Sequence, residues 1–411
     1  MSPQLLKMWP VWPKGGGLQI TISIRLWGHV QVLFATRELF SRLAGQVVLA
    51  ASVLLFPVCG WALSVAFINP GKSTEAYWVT VTQAMEAAAF KLGIALEVTY
   101  LERDHAKAVE VARDLAGRPS PRRPDYVLLG NEGGFAPPCL RILDGAGIPV
   151  LMVFNGISDL SQRKLSGAPR EKYKLWLGTL EPRAEDAGYL TAKALIEKGR
   201  AAAWAAPGER LHMVAFSGDK LTPSSILRAQ GMRRAVVEAG DVVLEQEIFS
   251  GFNRARAAEH MQWLLLRYPK TRLVWAGNDL MAFGAMDAVR SHNLAPGQDV
   301  LFSGINTSLE ALDALRAGEL SALAGGHFML GAWALVLVYD HHHGRDFAQV
   351  EGLEMVQPMF SLFSPQQATR FAQLYGDGRF DAIDFKRFSK FHNPHLKRYN
   401  FAFEQLLGRK G

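Results

Sequence analysis

The segment WAGNDLMAFGAM, residues 275–286, ends an apolar run at Gly277 and then sets Asn278 and Asp279 ahead of a helical pattern. An amide and a carboxylate at the carboxyl edge of a strand stand where open α/β sheets bind small molecules. Asn278 offers N–H donors and a carbonyl acceptor, and Asp279 can meet a ligand or cap the helix by accepting a backbone N–H. Gly284 and Ala285 allow another helix to pack closely. The same reading of the other strand ends returns Asn131 and Glu132 after VLLG, Asn155 after LMVF, Ser217, Gly218 and Asp219 after MVAF, and Asn306 after FSGI. Tyr77 and Trp78 add flat apolar rings, and the indole brings an N–H donor. Helical spacing with Val81 turns one of the two toward the core, and Trp78 is the expected ligand wall. These residue types hydrogen-bond and stack.

Bond-making chemistry finds few parts. The patterns GxSxG, HExxH and CxxC do not occur, and Glu132, Asp219 and Asp279 stand as acid or base candidates with no paired nucleophile. His341, His342 and His343 are consecutive, so on a helix they point about 100° apart and cannot converge on one metal. The glycine-rich GNEGG at 130–134 lacks the Lys-Ser/Thr of a phosphate loop and reads as an open turn exposing backbone at a cleft. No enzymatic activity, cofactor or metal is expected.

Positioning such groups requires alternating strands and helices. A β-rich run LSVAFIN precedes a helix over 74–92, followed by IALEVTY (94–100), a helix from about Ala106, DYVLLG (125–130), a helix from Pro138, and IPVLMVF (148–154). A second series starts after Trp176-Leu177-Gly178-Thr179, with helices over 182–198, 225–239, 254–266, 280–292 and 308–317. Between them lie the strands LHMVAFS (211–217), VLEQEIF (243–249), RLVWAG (272–277) and DVLFSGI (299–305). Strands separated by helices imply parallel sheets. Residues 329–340 read as a further amphipathic helix.

With these elements in place, the chain resembles the type I periplasmic binding proteins, the fold of ribose-type sugar receptors and of the ligand-binding cores of lactose-type repressors. The likeness covers about residues 64–360 and rests on VAFINPGKSTEAYWVTVTQAMEAAAFKLGI, on SILRAQGM at 225–232, and on the Asn278-Asp279 segment. It implies an α/β fold of two doubly wound parallel-sheet lobes joined by a hinge. The N-terminal lobe would comprise 63–180 with about 328–358, and the C-terminal lobe 181–327 with about 359–363. It also implies that Arg228 matches the family's cleft arginine, that His327 lies at the last lobe crossing, and that Asn155 and Asn306 stand where sugar receptors often place carboxylates. Neutral amides weaken charge-assisted bonds to sugar hydroxyls, which argues against a simple hexose or pentose. The function implied is capture of a small polar, sugar-like ligand for an ABC permease. Pro70-Gly71 followed by Tyr77-Trp78 is also similar to a segment of the furanosyl-borate autoinducer receptor, which implies a sensor kinase as the alternative partner.

The ends of the chain differ from its body. Residues 43–56, LAGQVVLAASVLLF, follow Arg37 and Arg42 and precede Pro57 and Gly60-Trp61-Ala62. An apolar stretch of this length falls short of the roughly 20 residues of a membrane span and reads as a signal peptide. Residues 1–62 are therefore expected to be leader, cleaved near Ala62, with the mature chain in the periplasm. Cleavage would remove Cys59 and leave Cys139, which cannot form an internal disulfide and is expected to be buried. The formal charge of +7 is concentrated at the ends, since residues 63–378 hold 32 Lys and Arg against 34 Asp and Glu. No nucleic-acid partner is expected on that balance. Residues 364–411 form a basic, aromatic tail, read as a helix laying its phenylalanines on the body, with docking to a membrane partner as the alternative.

Overall fold

A computed structural model describes residues 62–202 and 208–407 of the chain; the expected signal peptide and its cleavage site at Ala62 fall almost entirely outside them. The first sheet is built from β1 (Ser64–Asn69), β2 (Ala95–Tyr100), β3 (Tyr126–Leu129), β4 (Val150–Val153), β5 (Trp176–Pro182) and β11 (Glu354–Gln357). Its order is β11-β5-β4-β3-β1-β2, and every pairing is parallel. Strands β1, β3 and β4 are buried along nearly their whole length because helices cover both faces, the condition under which parallel sheets occur. Those helices include α1 (Ala76–Leu92), α2 (Lys107–Gly117), α3 (Ala136–Gly145), α4 (Leu160–Ser166) and α10 (Leu330–His342). Cys139 on α3 is buried and free, and burial pushes its thiol up to about 12.

The second sheet has the order β12-β10-β9-β8-β6-β7. It comprises β6 (Leu211–Ser217), β7 (Val242–Phe249), β8 (Leu273–Ala276), β9 (Leu301–Ile305), β10 (Ala322–Gly325) and β12 (Ser361–Leu362). Only β12 runs antiparallel. Its helices are α5 (Ala184–Ala201), α6 (Pro223–Ala239), α7 (Arg254–Arg267), α8 (Asp279–Ser291), α9 (Leu309–Arg316) and α11 (Pro365–Tyr375). The chain crosses between sheets after β5, after β10 and after β11. The two-sheet architecture is the one implied by the alternating pattern. Residues 176–179, after which the second series is expected to start, belong to β5 of the first sheet, within the expected N-terminal lobe.

Three glycines set helix spacing in the second lobe. A Cβ at Gly188 of α5 would lie 1.8 Å from the Arg228 carbonyl oxygen, and one at Gly231 of α6 would lie 2.0 Å from that of Glu185. Gly284 of α8 likewise faces the Arg254 carbonyl of α7, at 2.1 Å from an added Cβ, which is the close packing expected there.

Two expectations are corrected. Helix α10 is not amphipathic: Leu330 through Val338 are all buried. The tail is not one helix, since α11 is followed by turns and a short 3-10 segment at Phe385–Phe388. These corrections have one cause. Trp333 of α10 stacks on Phe401 at 5.1 Å and touches Phe385 and Phe388, so the tail covers the face that sequence periodicity assigns to solvent.

Gly188→Ala should force α5 and α6 apart and cost about 1–3 kcal/mol, as overpacking typically does. Urea unfolding should show a lower midpoint at unchanged slope; an unchanged midpoint would mean that the helices separate freely.

Candidate functional site

The carboxyl ends of the two sheets face each other across a cleft lined by residues of both. The first lobe contributes Glu75, Tyr77 and Trp78 at the start of α1, Arg103 after β2, Glu132 after β3, Phe154 and Asn155 after β4, and Pro182 at the end of β5. The second contributes Ser224 and Arg228 of α6, Phe252 after β7, Asn278 after β8, Asn306 after β9 and His327 after β10. Nearly every strand end therefore delivers a residue to one space.

Aromatic rings line much of it. Trp78 is buried and meets Phe154 edge-on, with centroids 5.2 Å apart. Its indole leaves no room at Gly71, where a Cβ would lie 1.9 Å from Cδ1. Tyr77 also reaches the cleft, its ring stacked on His327 at 4.8 Å; of the two rings it is Trp78 that packs into the core and Tyr77 that is the more exposed, the reverse of the expected assignment. Arg103 lies over the Phe252 ring of the opposite lobe, 5.7 Å from its centroid.

Charge is arranged asymmetrically. Arg103 is held between two carboxylates: its Nε donates to Glu75 Oε2 at 3.0 Å, Nη2 to the other oxygen of Glu75, and Nη1 to Glu132. Burial works against the charged guanidinium, but Glu132 and Glu75 outweigh it and raise its pKa. Glu132 is raised by burial, with Arg103 opposing. On the second lobe Arg228 Nη1 donates to the Gly277 carbonyl at 2.8 Å, and Nη2 lies 3.1 Å from His327 Nε2. A guanidinium can only donate, so His327 Nε2 accepts and the ring proton sits on Nδ1. Burial first, and then Arg228, hold His327 well below its ordinary pKa and keep it neutral. Arg228 Nε and His327 Nδ1 are buried donors without a protein acceptor.

Backbone strain concentrates at the same place. Arg103, Phe154, Phe252 and Asn306 have φ of 64°, 66°, 56° and 115°. Such left-handed conformations in non-glycine residues cluster at ligand sites.

The family model of the periplasmic binding protein domain matches residues 65–346. The chain belongs to the periplasmic binding protein family. A crystal structure of a periplasmic sugar-binding protein from Pseudomonas fluorescens is similar at 41% identity with a TM-score of 0.75, covering 84% of this chain and 100% of that one. A galactofuranose binding protein shares the fold at 19% identity, a TM-score of 0.62, and coverage of 77% and 99%. Among curated relatives, the ribose import binding protein of Bacillus subtilis is 30% identical over 119 residues. That match spans 29% of this chain and 37% of the relative, so the aligned stretch is well under half of the relative's length. Among the described residues no helix is long and apolar enough to cross a membrane.

Within this periplasmic binding protein, eight of the ten expected ligand residues line the cleft: Tyr77, Trp78, Glu132, Asn155, Arg228, Asn278, Asn306 and His327. Asn131 and Asp279 do not. The Asn131 amide donates to Gly156 O and Gln162 Oε1 and accepts from Ala136 N, bracing the turn before α3. Asp279 accepts from Asn306 Nδ2 at 2.8 Å and Ser308 Oγ at 2.6 Å, and so orients Asn306. The capping role is also exchanged: Asn278 is the N-cap of α8, its Oδ1 accepting from Met281 N at 2.9 Å, and Asp279 is the first helical residue. Asn155 lines the cleft and also bridges the lobes, its Oδ1 accepting from Ser224 N at 2.9 Å. Ser217 and Asp219 are engaged with Glu247 and with the Leu221 and Thr222 amides.

Glu75, Arg103, Phe154, Pro182, Ser224 and Phe252 were not anticipated. Phe154 and Asn155 follow the same strand, so the strand-end rule could have found Phe154. Arg103 lies three residues beyond β2 in a left-handed turn that no apolar pattern marks.

His327 gives a pH signature. Its folded pKa lies below its unfolded value near 6.5, so unfolding takes up a proton, and stability present above about pH 6.5 is lost as pH falls toward the folded pKa. The loss approaches about 1.4 kcal/mol per pH unit. His327→Gln should flatten the fall in unfolding free energy between pH 7 and 5 relative to wild type, measured by denaturant titration at each pH. Parallel curves would show that His327 protonates in the folded protein.

Proposed function

We propose that the cleft captures a small, neutral or weakly charged sugar-like ligand, without chemical change, for delivery to an ABC importer in the inner membrane. The observation that carries this reading is the pairing of aromatic rings with opposed hydrogen-bonding walls in one cleft. Tyr77 offers an aromatic surface to a ring, with Trp78 packed behind it at 4.9 Å. Glu75 and Glu132 offer charged acceptors to hydroxyl groups, whereas Arg228 and His327 offer donors. Charge-assisted bonds of this kind are the strong ones. The argument against a simple sugar rested on amides at Asn155 and Asn306, and carboxylates enter the cleft from Glu75 and Glu132 instead. Relatives described as sugar-binding and ribose import binding proteins favour the same ligand class.

Both carboxylates are tied to Arg103 and neither stands beside a nucleophile, which supports binding over catalysis. Lobe closure would read out occupancy, through contacts such as Asn155 to Ser224 and the Gly133 N–H to Thr222 Oγ1 at 3.3 Å. A sensor kinase would read the same closed form, and reconstitution decides between partners: ATP hydrolysis by an importer stimulated by the loaded protein supports delivery.

The ligand can be identified by mass spectrometry of what copurifies with the protein, followed by calorimetry. Asn278→Asp keeps the capping oxygen and removes the amide donors, and Arg228→Ala removes the buried guanidinium. Each should weaken binding by about 1–3 kcal/mol or more, roughly 5- to 150-fold in Kd. Wild-type affinity in both variants would place the ligand elsewhere.

A further inference from the structure

We infer that residues 364–407 form a strap that is fastened to both lobes across the hinge and restrains their opening. The strap starts on the second lobe, where α11 packs on α9 and Phe371 meets Phe363 at 5.9 Å. It then passes to the first lobe. There Asp340 of α10, fully buried, accepts from the backbone N–H groups of Lys390 at 2.6 Å and Phe391 at 3.2 Å, and from the Tyr399 hydroxyl at 2.7 Å. Ser389 Oγ donates to the same carboxylate. Glu351 holds a second anchor, accepting from Lys390 Nζ at 2.9 Å and the Tyr399 N–H at 3.0 Å.

The end of the strap returns to the crossing segments themselves. Phe403 contacts Phe363 and Phe371 on the second-lobe side, and it contacts Phe328 just after the β10 crossing. A Cβ on Gly326, in that crossing, would lie 2.7 Å from Phe403 Cγ. Gly326 has φ of 109°, so the turn and the ring above it both require glycine. Phe328 also meets Phe371 at 5.7 Å and Phe380 at 5.5 Å.

A hinge opens when its crossing segments rotate while each lobe stays rigid. Here the rotation must either shear a packed aromatic cluster, which has the density of a crystal and resists continuous deformation, or unfasten one end. The first-lobe end resists release because freeing it would break the four hydrogen bonds to Asp340 and uncover the apolar face of α10. The strap thus holds the ligand-free lobes near the arrangement that binds, which lessens the free energy that closure withdraws from affinity. No strap residue lines the cleft, so the inference stands apart from the identity of the ligand.

The test uses the full chain without added ligand. Two variants loosen the strap without touching the cleft: Ser389→Ala combined with Lys390→Ala and Tyr399→Phe at the first-lobe anchor, and Phe403→Ala at the crossing. Small-angle scattering should give each a larger radius of gyration than wild type, with circular dichroism showing both folded. Equal radii for wild type and folded variants would overturn the strap. Hydrogen exchange on the unmutated chain supplies a reading that does not depend on variant folding. An engaged strap keeps the Lys390 and Phe391 amides as protected as those of α10, whereas rapid exchange there would show the tail detached and would also overturn it.

Discussion

A parallel sheet buried by helices on both faces has no polar groups to offer a ligand except at the ends of its strands. That constraint organises this molecule. Each sheet faces the other with its carboxyl edge, and the short turns leaving those edges carry the residues that meet in the cleft. Three chain crossings hold the edges opposite each other, so neither lobe contains a site alone. The second lobe's wall depends on helix spacing as well: Arg228 sits where α5 and α6 touch through Gly188 and Gly231, and a methyl group at either glycine would move it.

Within the cleft, the two guanidinium groups are held on different terms, Arg103 part-buried and Arg228 buried. An isolated buried ion costs several kcal/mol, and pairing offsets this only when geometry and additional hydrogen bonds are good. Arg103 meets that condition through two carboxylates from separate turns, and thereby fixes the distance between the start of α1 and the turn after β3. Arg228 has no carboxylate partner; it donates to a carbonyl and a neutral imidazole, and burial lowers its pKa. The first arginine is a brace. The second has an uncommitted donor, because its Nε has no protein acceptor. His327 serves it by accepting at Nε2, which leaves the imidazole with a donor at Nδ1 and gives that wall one polarity.

The strand-end residues were legible because an apolar run that stops at a polar pair is visible in one dimension. The rule locates Asn278 and Asn306 but not the division of labour beside them. Whether Asn278 or Asp279 caps α8 depends on the backbone turn of a single residue, and Asn278, with φ of −155°, takes the extended cap position. Glu75 and Arg103 were illegible for a different reason. They lie in turns, and their role arises from a tertiary ion pair between segments 28 residues apart. Likewise most strands of both sheets stand out as apolar, β-branched runs, whereas β10 (ALAG) has no β-branched or aromatic residue, β11 (EMVQ) is a half-exposed edge strand and β12 is two residues long.

Helix α10 shows how a wrong periodicity can be informative. Its sequence, LGAWALVLVYDHH, carries apolar residues on every side until Asp340. A helix that is apolar all round must be covered all round. One side rests on α1, where Gly331 admits Met85, and the other needs a cover that the two-sheet fold does not supply. The tail supplies it with Phe385, Phe388 and Phe401. Among the described residues, its lysines and arginines then remain at the outer surface, except for Lys390, whose ammonium is drawn onto the Glu351 carboxylate. The aromatic content of the tail is thus the complement of the apolar content of α10. The buried Asp340 at the end of that helix fixes the register between them, because its carboxylate is matched by donors from one stretch of the tail alone.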